Sequence, residues 1–166
     1  MLIYHPAYDA YHCVFRMLAV AENVPELEVE KARLLDFYLL FPSAVSAVRL
    51  PPVLREARKA AKSFANEYHD PLSPATTFRE LRHIQESALK CIAASGLIEV
   101  SRLEAGFVRR TEIPLPDELQ LRVEEFLEQR QPLAQTILYG LSAIPLRGHD
   151  GLKHRTALME YRYDVA

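Results

Sequence analysis

The sequence predicts a mainly α-helical fold with one small β-hairpin. Apolar residues recur at helical spacing in most segments of the chain, as they do along helices that bury one face. In residues 78–114, a helical pattern ends at Gly96 and is followed by an apolar stretch at 97–100 and a second stretch at 107–113. Two such stretches around a glycine-containing turn are a hairpin signal.

A helix that ends in small residues and leads into a short hairpin is typical of a winged helix-turn-helix domain, where the two form the third helix and the wing. We therefore expect a winged helix-turn-helix-like core with additional N- and C-terminal helices. The 166 residues, 49% of them hydrophobic and 25% charged, suit a single domain over residues 1–166. The core spans about 28–114 with an inserted helix at about 53–68, and residues 115–166 form a C-terminal helical extension and tail.

The N-terminal part of the chain contains two predicted helices. Residues 7–24 carry apolar side chains at helical spacing, and Pro25 ends the segment. Residues 28–41 are almost wholly apolar from Leu34 onward, so this helix is expected to be buried on all sides at the centre of the core. A strand over 34–41 stays open as an alternative, because short apolar runs are ambiguous.

The middle of the chain begins with a short helical turn over 43–48, for which Ser43 is a candidate N-cap. Residues 53–68 have an apolar stripe and a basic outer face, which predicts an amphipathic helix. The two prolines of residues 70–74 predict a loop, because each constrains the backbone and the residue before it.

The third helix of the core is predicted to run from Phe78 to about Ser95. Thr77 and Glu80 have the spacing of a capping box at its start. Gly96 is well placed to adopt the left-handed conformation that ends a helix.

The C-terminal extension is predicted to contain two helices and a terminal strand. An amphipathic pattern follows Pro116 and ends near Gln131, and Pro132 begins a mostly apolar helix through Ile144. Residues 159–165 alternate enough to form a strand.

The sequence lacks the motifs of common catalytic sites. It has no glycine-rich phosphate loop, no Gly-x-Ser-x-Gly elbow, no His-Glu-x-x-His and no Cys-x-x-Cys. Its two cysteines, Cys13 and Cys91, lie far apart in apolar helical patterns, so we expect buried reduced thiols. The protein is therefore predicted to be non-enzymatic, with no cofactor and no bound metal.

Net charge and terminal composition limit the classes of partner. The formal net charge is −2 and the pI is about 6.3, which excludes the strong overall positive charge of a dedicated nucleic-acid binder. The N-terminus lacks the pattern of a secretory signal, and no apolar run reaches the length of a membrane span. We expect a cytoplasmic protein without membrane contact.

A cluster of basic residues forms the candidate DNA-binding surface. In a winged helix, the third helix enters the major groove and wing cations meet phosphates. Interleaved glutamates leave three alternatives open, which are specific DNA readout, contact with the DNA backbone, and protein contact or plain solvation. The candidate DNA-binding residues are Arg55, Arg58, Lys59, Lys62, Arg79, Arg82, Arg102, Arg109 and Arg110.

The two ends of the chain carry the candidate partner-binding residues. Aromatic and arginine side chains are favoured anchors of protein interfaces. For the tail, the alternative is a strand packed into the fold. For the start, the alternative is a metal or acid-base site formed by His5, Asp9 and His12. The candidate partner-binding residues are Tyr4, His5, Tyr8, Tyr11, His12, Arg155, Tyr161 and Tyr163.

Several distinctive strings in the sequence carry a family resemblance. They are Tyr4-His5-Pro6-Ala7-Tyr8-Asp9-Ala10-Tyr11-His12-Cys13-Val14-Phe15-Arg16, Leu35-Asp36-Phe37-Tyr38-Leu39-Leu40-Phe41-Pro42, Gly151-Leu152-Lys153-His154-Arg155-Thr156 and Tyr161-Arg162-Tyr163-Asp164. In these strings the chain resembles a middle component of prokaryotic ABC three-component systems.

The resemblance implies an adaptor role in anti-phage or anti-plasmid defence. The implied partners are an SMC-like or Rad50-like ABC ATPase and an effector protein, both encoded nearby, which the adaptor would bridge. Contact with the backbone of double-stranded DNA through the basic cluster would accompany this role. The main alternative is a winged-helix DNA-binding transcription regulator.

Overall fold

The structure is a computed structural model that describes residues 8–160. The elements are α1 (Ala10–Asn23), β1 (Leu27–Glu28), α2 (Val29–Leu40), α3 (Ala57–Lys62), α4 (Pro74–Glu80), α5 (Arg82–Ala94), α6 (Val100–Glu104), β2 (Phe107–Val108), α7 (Asp117–Glu128), α8 (Leu133–Gln135) and α9 (Leu152–Thr156). Short 3-10 helices cover Pro42–Ala47 and Pro52–Leu54, and a π-helix over Thr136–Leu141 continues α8. The fold is mainly helical, as predicted, and it contains a small two-stranded antiparallel sheet.

Helix α2 lies at the centre of the core. Every residue from Lys31 to Phe41 is buried, including aromatic rings that pack on one another and on Phe78. The predicted central helix is therefore confirmed, and the strand alternative for residues 34–41 is wrong. A helix buried on all sides must also bury its polar residues, and these need partners inside the protein.

A buried polar network joins α1, α2 and α5. The Arg16 Nε donates to Asp36 Oδ1 at 2.6 Å, and both side chains are almost fully buried. The Gln85 amide nitrogen donates to Asp36 Oδ2 at 2.8 Å and to the Arg33 carbonyl at 3.1 Å. Its amide oxygen accepts from Arg33 Nε at 2.8 Å. Each polar group of one helix is thus satisfied by another, which fixes how the helices pack.

The sheet pairs distant segments of the chain. Leu27 pairs with Val108 and Glu28 with Phe107, and the Val29 N–H donates to the Gly106 carbonyl at 2.9 Å. The predicted hairpin is present only in part. An isolated antiparallel bridge joins Ile98 to Arg110, and Gly106 turns the chain with a φ of +92°.

The strand predicted at residues 97–100 is wrong from Val100 onward, because α6 begins there. The Leu103 N–H donates to the Glu99 carbonyl, and the Leu103 side chain packs against the core. Burial of Leu103 thus outweighs the β-propensity of Val100.

The inserted helix is shorter than the predicted 53–68, because α3 ends at Lys62. Beyond it, the Asn66 N–H donates to an Asp70 carboxylate oxygen at 2.8 Å, and the Tyr68 N–H donates to the Asn66 side-chain oxygen at 3.0 Å. Such local side-chain bonds compete with helical ones. Ser43 also donates to Asp70, at 2.9 Å, and caps no helix.

The third predicted helix is two helices, since α4 and α5 are separated at Leu81. The capping box at Thr77 is wrong, because α4 already begins at Pro74, a residue suited to the first helical turn. Gly96 has a φ of +77°, so its predicted left-handed conformation is confirmed.

Helix α7 is confirmed, and the helix predicted after Pro132 continues as α8 and the π-helix. Most of the strand predicted at 159–165 lies outside the described residues.

Cys13 is buried, as predicted, but Cys91 is exposed, so that part of the prediction is wrong. Among residues 8–160, no helix combines the length and apolar character needed to span a membrane.

Replacing Asp36 with asparagine should lower the free energy of unfolding by about 3–5 kcal/mol, because the buried Arg16 guanidinium loses its counter-charge. Urea denaturation measures this value. The control is Glu118→Gln, which removes the exposed Arg122–Glu118 pair and should cost less than about 1 kcal/mol. Equal losses for the two variants would contradict a stabilising role for the buried pair.

Candidate nucleic-acid and partner surfaces

The basic segment comprises residues 55–62 and carries four of the candidate DNA-binding residues. Ala57 and Ala61 face the core, and Arg55, Arg58, Lys59 and Lys62 are exposed. Within residues 8–160, Arg55, Lys59 and Lys62 make no ion pair, and Arg58 donates to the Val48 carbonyl at 3.3 Å. The segment also contains the exposed Glu56, so its four cations give a local net positive charge on an acidic protein.

The wing arginines Arg102, Arg109 and Arg110 are different, because each one meets carboxylates. Arg102 pairs with Glu26 at 2.6 Å, and Arg109 lies 3.7 Å from Glu26 and 3.5 Å from Glu99. The bond from Arg102 holds the pKa of the Glu26 carboxyl below its usual value. These pairs neutralise much of the charge that the sequence suggested for phosphate contact.

Arg110 has a structural environment. Its Nε donates to Glu22 at 2.6 Å, and its other nitrogens donate to the carbonyls of Leu97 and Ile113. These bonds tie the end of α1 to the segment that follows α5. Arg110 therefore holds the wing segment against the helices and has little freedom to reach an external phosphate.

Arg79 and Arg82 lie apart from the basic segment, at the junction of α4 and α5. Both line a cavity of about 490 Å³ together with Arg33 and Phe78. Arg82 pairs with Glu86 at 2.8 Å, and Arg79 donates to the Thr76 hydroxyl at 3.4 Å. The predicted basic cluster is thus spread over separate places in the fold.

The aromatic start of α1 is open to solvent. Tyr8 and Tyr11 are 53% and 58% exposed. The Tyr8 hydroxyl donates to Glu80 at 3.1 Å, and the Tyr11 ring packs edge-on against Phe15 with centroids 4.7 Å apart. Tyr11 and Phe15 also line a hollow of about 180 Å³ against α7. Large exposed aromatic side chains beside a hollow suit a protein interface.

The other predicted partner-binding residues have different outcomes. His12 is exposed beside Tyr11, whereas Tyr4, His5, Tyr161 and Tyr163 lie outside the described residues. Arg155 donates to the carbonyls of Asp150 and Arg49, both at 2.6 Å, and thus braces the tail. The metal alternative stays a prediction, since His5 is not described. Asp9 caps α1 by accepting from the Tyr11 N–H at 2.8 Å.

The fold brings together one cluster of histidine and aspartate side chains that the sequence pattern did not reveal. Atoms of His149, Asp150 and His154 lie within 4.8 Å of one another. Arg49, however, lies 2.9 Å from His154 Nδ1 and 3.8 Å from Asp150, so a cation already occupies the surroundings of these ligands. In the sequence, Gly148 and Gly151 indicate a turn near these residues, but they do not indicate that the three side chains meet.

These features define a small helical protein with a polar network buried at its centre and exposed basic and aromatic residues on its surface. The chain belongs to the ABC-three component (ABC-3C) system Middle Component 5 family, whose model matches residues 2–164. The resemblance to a middle component is thus confirmed, and membership is consistent with an accessory role in a defence system. No curated protein and no solved structure matches the chain.

Replacing Arg110 with alanine should lower the free energy of unfolding by about 1–3 kcal/mol, because the Glu22 carboxylate and the carbonyls of Leu97 and Ile113 lose a charged donor. Arg55→Ala is the matched control and should change stability by less than about 0.5 kcal/mol, since Arg55 is exposed and unpaired in the described chain. Thermal and urea unfolding measure both values. An Arg110 variant as stable as the Arg55 variant would refute the structural role.

Proposed function

We propose that this chain is a non-catalytic adaptor of its ABC-3C system, which bridges an SMC-like or Rad50-like ABC ATPase and an effector in anti-phage or anti-plasmid defence. The observation that carries the proposal is the family match over residues 2–164. A middle component belongs to a system with other components, and this membership favours association with them.

The aromatic start of α1 supports the docking part of the proposal. Tyr8 and Tyr11 present large rings to solvent beside the hollow formed with α7, and Leu121 on α7 is also exposed. Aromatic side chains beside a hollow are favoured anchors, because they contribute strongly to binding. We assign this surface to the ATPase or the effector.

The basic segment supports contact with the DNA backbone. Its cations are unneutralised within the described chain and lie on one exposed stretch, which suits phosphates and carries no base-reading geometry. The wing arginines are assigned to structure instead, since carboxylates already hold them.

The runner-up function is a winged-helix transcription regulator. It is supported by the pairing of β1 with β2 and by the Ile98–Arg110 bridge, which are the kinds of contact that a wing makes. The ion pairs of the wing arginines and the separate placing of Arg79 and Arg82 weigh against base readout by this region.

Co-expression with the neighbouring gene products should give a stable complex on size-exclusion chromatography. Joint replacement of Tyr8 and Tyr11 by serine should weaken that complex at least tenfold. Tyr68→Ser is the matched control, because Tyr68 is 90% exposed elsewhere on the surface and should be neutral. A wild-type protein that binds none of the neighbouring products would refute the adaptor function.

Joint replacement of Arg55, Lys59 and Lys62 by alanine should reduce the slope of log affinity against log salt by about 0.9 for each phosphate that the variant no longer neutralises. Fluorescence anisotropy with double-stranded DNA of two unrelated sequences measures this effect, which should be equal for both. Arg102→Ala with Arg109→Ala is the control and should leave the slope nearly unchanged. A larger effect of that control, or a strong sequence preference, would favour the regulator.

A further inference from the structure

An open groove lies between α5 and α6. It consists of two adjoining hollows of about 260 and 430 Å³, and both are lined by Lys90 and Leu103. The first hollow is bounded by Val29, Leu89 and Gly106, and the second by Ala93, Ala94 and Val100. The hydrogen bond from Val29 to Gly106 fixes the end of the first hollow.

The groove is apolar in its depth and accessible at its rim. Leu89 and Ala93 form the floor and are buried, Leu103 is half-buried, and Val100 is 52% exposed. Residues 86, 90 and 94 of α5 follow one another along one helix face, so the groove is about 12 Å long at 1.5 Å per residue. That length matches about two turns of a helix.

Charge has a definite order along the groove. Lys90 lies in the middle, where the hollows meet, and makes no ion pair within residues 8–160. Glu86 lines the first hollow and Glu104 the second, so a carboxylate lies toward each end. Glu86 is already paired with Arg82 at 2.8 Å, so Lys90 and Glu104 are the charges of the groove that make no ion pair within residues 8–160. One lysine over an apolar floor does not suit a nucleic-acid backbone, although α5 is part of the predicted third helix of a DNA-binding core.

We propose that this groove binds an amphipathic helix of a partner protein, with an apolar side chain in each hollow and an acidic side chain between them that pairs with Lys90. The lining elements are helices that offer side chains and no free strand edge, which favours a helix in a groove over an added strand. Two apolar residues two turns apart, with an acidic residue one turn from each, lie on one helix face and match two apolar hollows on either side of Lys90.

Two synthetic helical peptides test this proposal without any assumption about the native partner. Both carry leucines two turns apart on one helix face, and they differ only in the residue one turn from each leucine, which is glutamate in one peptide and lysine in the other. Isothermal titration should show that the glutamate peptide binds at least fivefold more tightly to the wild-type protein. Lys90→Glu should reverse this preference, and Val100→Asp should weaken both peptides. Absence of binding, or a preference that Lys90→Glu leaves unchanged, overturns the proposal.

The identity of the partner as another component of the system rests on the proposed function, and a second measurement separates the two. In the purified complex, Lys90→Glu and Val100→Asp should each weaken affinity at least tenfold. The control Val53→Asp makes the same change as Val100→Asp at an exposed position elsewhere and should stay within twofold. A wild-type protein without a partner refutes the adaptor function, whereas an intact complex with unaffected groove variants overturns only the groove as its interface.

Two further measurements on the same variants test for misfolding and for self-association. Circular dichroism and thermal unfolding should show wild-type behaviour for Val100→Asp, because an acidic residue is favourable in the first turn of a helix. Sedimentation of the free protein distinguishes a second copy of this chain as the occupant. A wild-type dimer that Val100→Asp converts to a monomer would overturn binding of a foreign helix.

Discussion

The buried ion pair between Arg16 and Asp36 is the constraint on which the rest of the fold depends. Burial alone would lower the pKa of the Arg16 guanidinium, but the adjacent Asp36 carboxylate raises it overall, so the arginine stays charged in the core. A charge pair of this kind tolerates little displacement, because each partner would be left uncompensated. Gln85 extends the constraint from α1 and α2 to α5. The positions of the aromatic surface and the groove follow from that packing.

The helices that form the network have an inner face that takes part in it and an outer face that carries a proposed binding surface. The inner face of α5 is held by Gln85, and its outer face carries Lys90 over the apolar groove. Helix α1 is anchored through Arg16, while its first turn presents Tyr11 to solvent. One rigid centre therefore supports an aromatic surface, a groove and a basic segment at different places, as a protein that binds several partners requires.

Sequence periodicity was sufficient for the helices that dominate the core. Helix α2 is apolar nearly all round and is buried all round, and Gly96 adopts the backbone conformation that its position demands. The roles of Arg102 and Arg110 could not be predicted in the same way, because they pair with Glu26 and Glu22, far away in sequence. Composition showed basic residues there, and only the tertiary structure shows that they are neutralised. The groove needs two helices in contact, and Val100 favoured a strand, so no local pattern revealed it.

DNA and protein partners are proposed to use different surfaces of one rigid module. Amide hydrogen exchange, measured on the protein alone, with double-stranded DNA and with its partner, shows which surface each ligand covers. We expect DNA to slow exchange around residues 52–62 and the protein partners to slow exchange around residues 8–15 and 86–104, without overlap. Protection of residues 98–110 by DNA, with none at 52–62, would contradict it.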